Sequence, residues 1–138
     1  MLTGLIALTL GARGDDAGIA RDCSVRAARL RAIKADIVKT IDSDRLSVNT
    51  IAARHRVTPR YVQTLFAAEG TTFTQFVLRL RLARAYRLLT DPRFPGPITT
   101  VAFDAGFGDV SYFNHRFRRR FGMTPSQVRA EAAAQQRS

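Results

Sequence analysis

Apolar residues recur along this chain every three or four positions, the spacing that places side chains on one face of a helix. The first clear stripe consists of Leu30, Ile33, Ile37, Val38 and Ile41. A shorter stripe follows a candidate capping serine, Ser47. These patterns predict an all-α protein whose first well-defined helix runs from about Val25 or Ala28 to Ile41.

Residues 1 to about 24 differ in kind from the rest of the chain. Helical spacing at Leu2, Ile6 and Leu10 is followed by a glycine-containing run from Gly11 to Asp16, which predicts a break. We therefore expect a short helix or frayed arm followed by a linker. The apolar start is too short to span a bilayer, and no basic residue precedes it, so we expect neither a membrane span nor a signal peptide.

The longest helix is predicted at about residues 72–91. Thr72 and Gln75 have capping-box spacing at its start, and the Asp91-Pro92 step ends it. Its apolar residues cover more than one stripe, which is typical of a helix buried between two partners. We expect it to connect two lobes. It carries four arginines, some of which should pair with Asp or Glu: Arg79, Arg81, Arg84 and Arg87.

Two stretches on either side of this helix repeat one pattern. With one extra residue in the second copy, the matched pairs are Ala52 and Ala102, Val57 and Phe107, Tyr61 and Tyr112, and Phe66 and Phe117. Each copy reads as a short helix, a tight turn and a second helix with an apolar inner face, which is a helix-turn-helix. We predict about seven helices in two such lobes, at about 25–71 and 97–130.

Local signals place the remaining boundaries. Thr58 followed by Pro59 opens the second helix of the first copy, and Asp109 caps that of the second. Gly106 is expected to supply a positive φ angle in the second turn. Thr124 should start a last short helix, followed by a frayed tail after residue 130.

The charge of the chain indicates a polyanionic partner. There are 22 basic and 11 acidic residues in 138, for a formal net charge of +11. The single cysteine, Cys23, rules out a disulfide framework and a cysteine-based zinc site. His55 and His115 lie far apart without paired carboxylates, so we expect no enzyme, no metal and no other cofactor. A cytoplasmic protein that binds double-stranded DNA fits these features.

Polar residues on the outer faces of the two second helices are the candidates for reading bases. Arginine can donate to guanine and glutamine can pair with adenine in the major groove, while an apolar side chain can cover a thymine methyl. The predicted base contacts are Arg60, Gln63, Thr64, Val110, Ser111, Asn114 and His115. Phosphate contacts, which give affinity rather than sequence choice, are predicted for Arg54, Arg56, Arg116, Arg118, Arg119 and Arg120.

Aromatic residues at helical spacing predict a core rather than stacking platforms for bases. The core set is Phe66, Phe73, Phe76, Phe103, Phe107, Phe113, Phe117 and Phe121. In the second helix of the second copy, Tyr112 is also expected to point inward with Phe113, Phe117 and Phe121.

The segments from Arg81 to Leu89 and from Ala105 to Arg129 resemble the signature of the AraC/XylS family of bacterial transcription regulators. The resemblance covers about residues 31–129. It implies seven helices, two recognition helices in successive major grooves of a promoter, and activation through contacts with RNA polymerase. One departure is His115, at a position that is often arginine in the family.

Most members of that family also carry an N-terminal domain for effector binding and dimerisation, which residues 1 to 24 cannot hold. Either the chain is a stand-alone regulator or it is the C-terminal piece of a longer one. In the second case a dimerisation helix could survive as Leu2 to Leu10. A dimer is expected only if such a domain is missing from this chain.

Two readings from other classes compete with DNA binding. The arginine-rich face could bind an acidic protein, as in a basic protein-interaction module. A basic helical protein could also act at anionic membranes, although the aromatic core and the helix caps argue against it. A salt-dependent, sequence-selective affinity for DNA would separate the first reading from both.

Overall fold

Seven helices and no strand make up the part of the chain that the structure describes. The computed structural model covers residues 5–137, with the side chains of residues 18–137. The helices are α1 (Leu5–Lys39), α2 (Val48–Arg54), α3 (Pro59–Ala67), α4 (Phe73–Thr90), α5 (Ile98–Asp104), α6 (Val110–Phe121) and α7 (Pro125–Arg137). The all-α prediction is confirmed. Between residues 5 and 137, no helix is both long enough and apolar enough to cross a membrane.

Helix α4 takes part in two separate hydrophobic cores. Phe73 and Val77, in its first half, are buried with residues of α1, α2 and α3, which together form lobe 1. Leu82, Ala85 and Leu89 are buried with residues of α5, α6 and α7, which form lobe 2. The predicted connecting helix, apolar on more than one side, is therefore confirmed. The prediction that it is the longest helix is wrong, because α1 has 35 residues and α4 has 18. Each large apolar side chain so buried contributes about 1.5–3 kcal/mol to folding.

The two helix-turn-helix units repeat each other in their hydrogen bonds. The side chains of Thr58 and Asp109 cap α3 and α6 by accepting from the backbone amides of Tyr61 and Tyr112, at 3.1 and 3.0 Å. A cap of this kind stabilises a helix by about 1 kcal/mol. Both predicted caps are confirmed.

The start of α4 is repeated at the start of α7. Thr72 accepts a hydrogen bond from the Gln75 amide at 3.0 Å, and Thr124 accepts one from the Gln127 amide at 3.2 Å. The glycine before each cap is left-handed, with φ of 75° at Gly70 and 73° at Gly122. The duplication therefore extends beyond the helix-turn-helix units themselves.

The predicted break between Gly11 and Asp16 is wrong, because α1 is continuous from Leu5 to Lys39. A glycine inside a helix costs only about 1 kcal/mol, and the alanine, leucine and arginine residues around it favour helix. Residues 18–29 of α1 are exposed on all sides, and burial begins at Leu30. The side chains of the proposed dimerisation helix, Leu2 to Leu10, lie outside the described residues.

The predicted frayed tail is also wrong, because α7 continues to Arg137. Its later turns lie against α4, where Gln136 Nε2 donates to the Thr90 carbonyl at 3.2 Å. The Arg129 guanidinium donates to the Gly96 and Phe94 carbonyls in the segment between α4 and α5. These side-chain bonds hold the last helix in place, and a local pattern of polar residues could not show them.

Three apolar residues predicted to be inside are exposed. Val38 and Phe103 are each 54% exposed and Tyr112 is 47% exposed. Each stands next in sequence to a fully buried residue, namely Ile37, Ala102 or Phe113. Successive residues of a helix point about 100° apart, so a residue at the edge of an apolar stripe can turn toward solvent although its neighbour is buried. The core assignment of Phe103 and the inward assignment of Tyr112 are therefore corrected.

Candidate nucleic-acid interface

Helix α3 presents a polar outer face opposite a buried inner one. Val62, Leu65 and Phe66 are at most 3% exposed, which fixes the rotation of the helix in lobe 1. The predicted base contacts on α3 consequently face outward, and all three are exposed: Arg60, Gln63 and Thr64. The Thr64 hydroxyl donates to the Arg60 carbonyl at 3.0 Å, which leaves its lone pairs available as acceptors.

Helix α6 is held in lobe 2 by Phe113 and Phe117, both fully buried. Its predicted base contacts lie together on the far side, where Ser111, Asn114 and His115 are exposed. A concavity of about 590 Å³ is lined by residues that include Val110, Asn114, His115 and Arg118. The structure thus groups one phosphate candidate, Arg118, with the base candidates of the same helix.

The other arginines of α6 lie in a different place. Arg116, Arg119 and Arg120 line a separate concavity of about 300 Å³, together with Gln75 and Arg79 of α4. Among the described residues, none of these four guanidinium groups has an ion pair or a hydrogen bond. Four unneutralised arginines around one concavity repel one another, so an anion placed among them would be bound favourably.

The expected pairing of the α4 arginines with acidic side chains is wrong for the residues that the structure describes. Arg81 donates from Nε to the Ile41 carbonyl at 2.9 Å and from Nη2 to the Ser43 carbonyl at 3.1 Å. Arg84 donates from Nε to the Asp104 carbonyl at 2.9 Å. Carbonyls at or just beyond a helix C-terminus lack helical partners and carry partial negative charge, so they can replace a carboxylate.

Partial burial of Arg81 shifts its pKa without removing its charge. It lowers the pKa of the Arg81 guanidinium below its ordinary value, and the Asp42 carboxylate nearby opposes this shift. An arginine pKa starts so far above neutral that the group stays charged. A half-buried cation therefore sits between the end of α1 and α4, held by backbone oxygens.

In lobe 1, one candidate phosphate contact is already partnered. The Arg54 guanidinium is bound to the Asp36 carboxylate, whose other oxygen lies 2.9 Å from His55 Nε2. Arg56 is exposed in the turn between α2 and α3, with a φ of 57°. DNA would have to compete with Asp36 for Arg54 but not for Arg56.

A cleft of about 460 Å³ separates the lobes along one side of α4. Its walls include Gln63 of α3 and Tyr112 of α6, and Arg81 and Gly106 also line it. One base candidate of lobe 1 thus faces the recognition helix of lobe 2.

In the described part of the chain, no three His, Cys, Asp or Glu residues are close enough to hold a metal ion, and Cys23 is exposed.

Comparison with known proteins assigns this arrangement to a family. A helix-turn-helix domain family matches residues 51–131, which include the first unit from the middle of α2 onward, the whole of α4 and the whole second unit. The chain belongs to the AraC family. Its members are DNA-binding transcription regulators and not enzymes.

Two curated relatives of this AraC-family chain are named as transcriptional activators. The activator RhrA of Rhizobium meliloti is 39% identical over 106 residues, which cover 77% of this chain and 34% of that protein. The activator NphR of a Rhodococcus species is 40% identical over 94 residues, which cover 67% of this chain and 27% of that protein. The chain thus spans about a third of the length of these relatives.

Solved structures of AraC-type domains have the same fold. A regulator with an AraC-type DNA-binding domain from Chromobacterium violaceum superposes with a TM-score of 0.70 at 28% identity, covering 80% of this chain and 96% of that one. The DNA-binding domain of the transcription factor AdpA, solved in complex with a target DNA, gives 0.67 at 25% identity, covering 77% and 94%.

Sequence reasoning missed two residues of this AraC-family surface. Arg79 was one of four arginines of which some were expected to pair internally, and it joins the arginine concavity. Tyr112 was expected inside, yet it lines the cleft. The angular position of Tyr112, about 100° from Phe113 on the helix, was a signal available in the sequence. Nothing in the sequence around Arg79 shows that α6 would pass beside it.

Proposed function

We propose that this domain places α3 and α6 in successive major grooves on one side of a promoter. The observation that carries the proposal is the equivalent setting of the two helices. Each is capped in the same way, buried on one face and polar on the other, and the two flank a single helix of 18 residues. That helix is about 27 Å long, and grooves on one side of DNA recur every 34–36 Å or so, so lobes at its two ends can reach adjacent grooves.

Base reading falls to the exposed polar residues near the start of each recognition helix. In lobe 1, Arg60 donates to guanine and Gln63 pairs with adenine, with Thr64 beside them. In lobe 2, Val110 covers a thymine methyl, while Ser111, Asn114 and His115 supply hydrogen bonds. The exposure of the polar side chains supports the assignment, whereas Val110 is half-buried against the core of lobe 2. Gln63, Asn114 and His115 also lack a competing partner among the described residues.

Phosphate binding falls mainly to α6. Arg118 lies beside the base candidates, whereas Arg116, Arg119 and Arg120 share their concavity with Arg79. We therefore add Arg79 to the predicted phosphate contacts, so that α4 also binds the DNA backbone. Arg56 serves lobe 1, and Arg54 can do so only when Asp36 releases it.

The names of the curated relatives favour activation, so we propose that the protein raises transcription through contact with RNA polymerase. Those relatives are more than twice as long as this chain, since the matched segments cover only 34% and 27% of them. Dimerisation therefore belongs to the proposal only for a longer protein that contains this domain.

A footprint of the monomer tests the two-groove proposal. We expect two protected patches about one helical turn apart on a selected site. Inserting five base pairs between them turns the second patch to the opposite face of the DNA, so it should lose protection and the affinity should fall. A single patch that is insensitive to the insertion would show that only one unit reads DNA. A higher affinity for an acidic protein than for any DNA would favour the alternative hypothesis, a basic protein-interaction module.

A further inference from the structure

Arg81 occupies the point at which α4 passes from one core to the other. Val77 and Leu80, just before it, pack with lobe 1, whereas Leu82 and Ala85, just after it, pack with lobe 2. Leu78, on the other face of the helix, already packs with lobe 2. Every pair of helices in extensive contact either belongs to one lobe or includes α4. A single helix leaves rotation and bending between two lobes poorly determined, so contacts near this point decide how the lobes are oriented.

The hydrogen bonds of Arg81 hold lobe 1 against this point. Its guanidinium donates to the carbonyls of Ile41 and Ser43, at 2.9 and 3.1 Å, in the turn that follows α1. A planar guanidinium donating through two nitrogens fixes direction as well as distance. Charge-assisted bonds of this kind are stronger than neutral ones.

The turn between α5 and α6 in lobe 2 lies against the Ile41 carbonyl as well. A Cβ atom added at Gly106 would lie 2.4 Å from the Ile41 carbonyl oxygen and 2.6 Å from Arg81 Nε. The backbone of lobe 2 therefore lies directly against the end of α1 and the arginine. This three-way contact of Ile41, Arg81 and Gly106, which we name the interlobe lock, joins both lobes to α4.

Arg84 provides a comparison within the same helix. It makes a bond of the same kind and length, 2.9 Å from Nε to the Asp104 carbonyl, but α5 belongs to lobe 2. The Arg84 bond therefore tightens one lobe without linking it to the other. Any effect that is specific to linking the lobes should follow Arg81 and not Arg84.

We propose that Arg81, through the interlobe lock, is a positioning residue that sets the base-pair spacing at which the two recognition helices can bind together. This proposal rests on the two-groove function proposed above. When the lobes are already oriented, the second helix meets its groove at a high effective concentration. When the lock is lost, part of the binding free energy is used to orient the lobes. DNA sites with other spacings between the two patches are then bound nearly as tightly as the preferred site.

Binding to a series of DNA sites with altered spacing tests the proposal. The variant Arg81→Met keeps most of the aliphatic volume and removes the donors. Its affinity for the preferred two-patch site should fall about tenfold, the size expected for losing a charge-assisted hydrogen bond. Its affinity for a site with only one patch should stay unchanged, and its preference for one spacing should weaken. Arg81→Lys should restore part of the preference, because its ammonium can reach the same carbonyls.

Arg84→Met is the matched control, and it should keep the spacing preference of the original protein. If Arg81→Met binds one-patch and two-patch sites more weakly by the same factor, Arg81 affects a single lobe or touches DNA, and the proposal is wrong. If both variants keep the original spacing preference, the proposal is also wrong. Circular dichroism and thermal melting establish that each variant is folded.

Distances between the lobes provide a test that needs no DNA. Spin labels are placed at the exposed positions Ala68 and Glu131 as cysteine substitutions, with Cys23→Ser removing the native thiol. We expect the distance distribution to broaden in Arg81→Met and to stay narrow in Arg84→Met. An unchanged distribution in Arg81→Met would overturn the lock. If the distribution broadens but the original protein shows no spacing preference at all, the lock stands and the two-groove function fails.

Discussion

The two helix-turn-helix units cap their recognition helices in the same way, but their turns differ at the residue before Val57 and Phe107. The turn requires a positive φ, which is supplied by Arg56 in lobe 1 and by Gly106 in lobe 2. Both turns close with the same bond, from the Val57 or Phe107 amide to the carbonyl five residues earlier, at 3.0 and 2.9 Å. Lobe 1 tolerates a side chain because its turn faces solvent. Lobe 2 does not, because its turn lies against Ile41.

The units also differ in how their charges are arranged. In lobe 1, Asp36 binds Arg54 and His55, and Glu69 binds Lys34 at 2.5 Å. In the described part of lobe 2, the arginines of α6 have no acidic partner. The same sequence pattern thus carries a unit in which some basic residues have acidic partners and a unit in which the arginines of the recognition helix have none. We expect lobe 2 to contribute most of the affinity for phosphates.

The largest effect should come from the turn residues. Gly106→Ala introduces both a clash with backbone and a strained φ, so the free energy of unfolding should fall by roughly 2–4 kcal/mol. Arg56→Gly should change it by no more than about 1 kcal/mol, because relief of strain opposes the greater freedom of the unfolded chain. Urea unfolding measures both values.

Gly108→Ala is the control for this comparison, because a Cβ atom there meets nothing within 4 Å. We expect it to leave stability nearly unchanged. Equal effects of Gly106→Ala and Gly108→Ala would mean that the contact between the lobe 2 turn and Ile41 has no energetic importance.

Substitution of a base-contacting residue should weaken the sequence preference of its own lobe, in addition to lowering the affinity. Gln63→Ala and Asn114→Ala should each cost about 1–3 kcal/mol of binding free energy on the preferred site. Each should relax the preference at one or two base pairs, in patches about one turn apart. Binding to a set of single base-pair variants locates these positions. Equal losses on random DNA would show that both residues contact only the backbone.

Salt dependence should show the difference in charge between the lobes. The double variant Arg118→Gln with Arg119→Gln should flatten the slope of log affinity against log salt by about two units, roughly one for each lost phosphate contact. Arg54→Gln should flatten it less, because Asp36 already holds that guanidinium. Titrations at several salt concentrations measure the slopes, and a larger effect of Arg54→Gln would reverse the comparison.

The smallest effect should come from the segment between the lobes. Hydrogen bonds from the Arg93 side chain and amide lower the pKa of the Asp91 carboxyl below its ordinary value of 3.8. A lowered folded-state pKa adds stability that is present above the unfolded pKa and is lost as the pH falls through the folded one. Asp91→Asn should therefore change melting temperature little at pH 7, since exposed pairs contribute little, and still less at pH 2, where more of the carboxyl is protonated. A large decrease at pH 7 would contradict this.

Short-range patterns in the sequence were sufficient to predict the helices, their caps and the duplication. Thr58, Thr72 and Asp109 cap helices through bonds to residues three positions away, so the information lies within one turn of chain. The stripes of apolar residues also predicted most of the buried faces, as in α4, although Val38 and Phe103 proved to be exposed. The outward position of Arg60, Gln63 and Asn114 followed from the same periodicity.

Contacts between residues far apart in sequence were decided by the tertiary structure alone. Arg81 bonds to residues about forty positions away, and Arg79 lies beside arginines of a helix more than thirty positions later. A local pattern that shows an arginine on a buried helix cannot distinguish a carboxylate partner from a backbone carbonyl. The sequence determined two recognition helices and their outward faces. Only the packing of α1 and the second turn against α4 decided how the two lobes are held together, because that contact joins segments that local periodicity treats as independent.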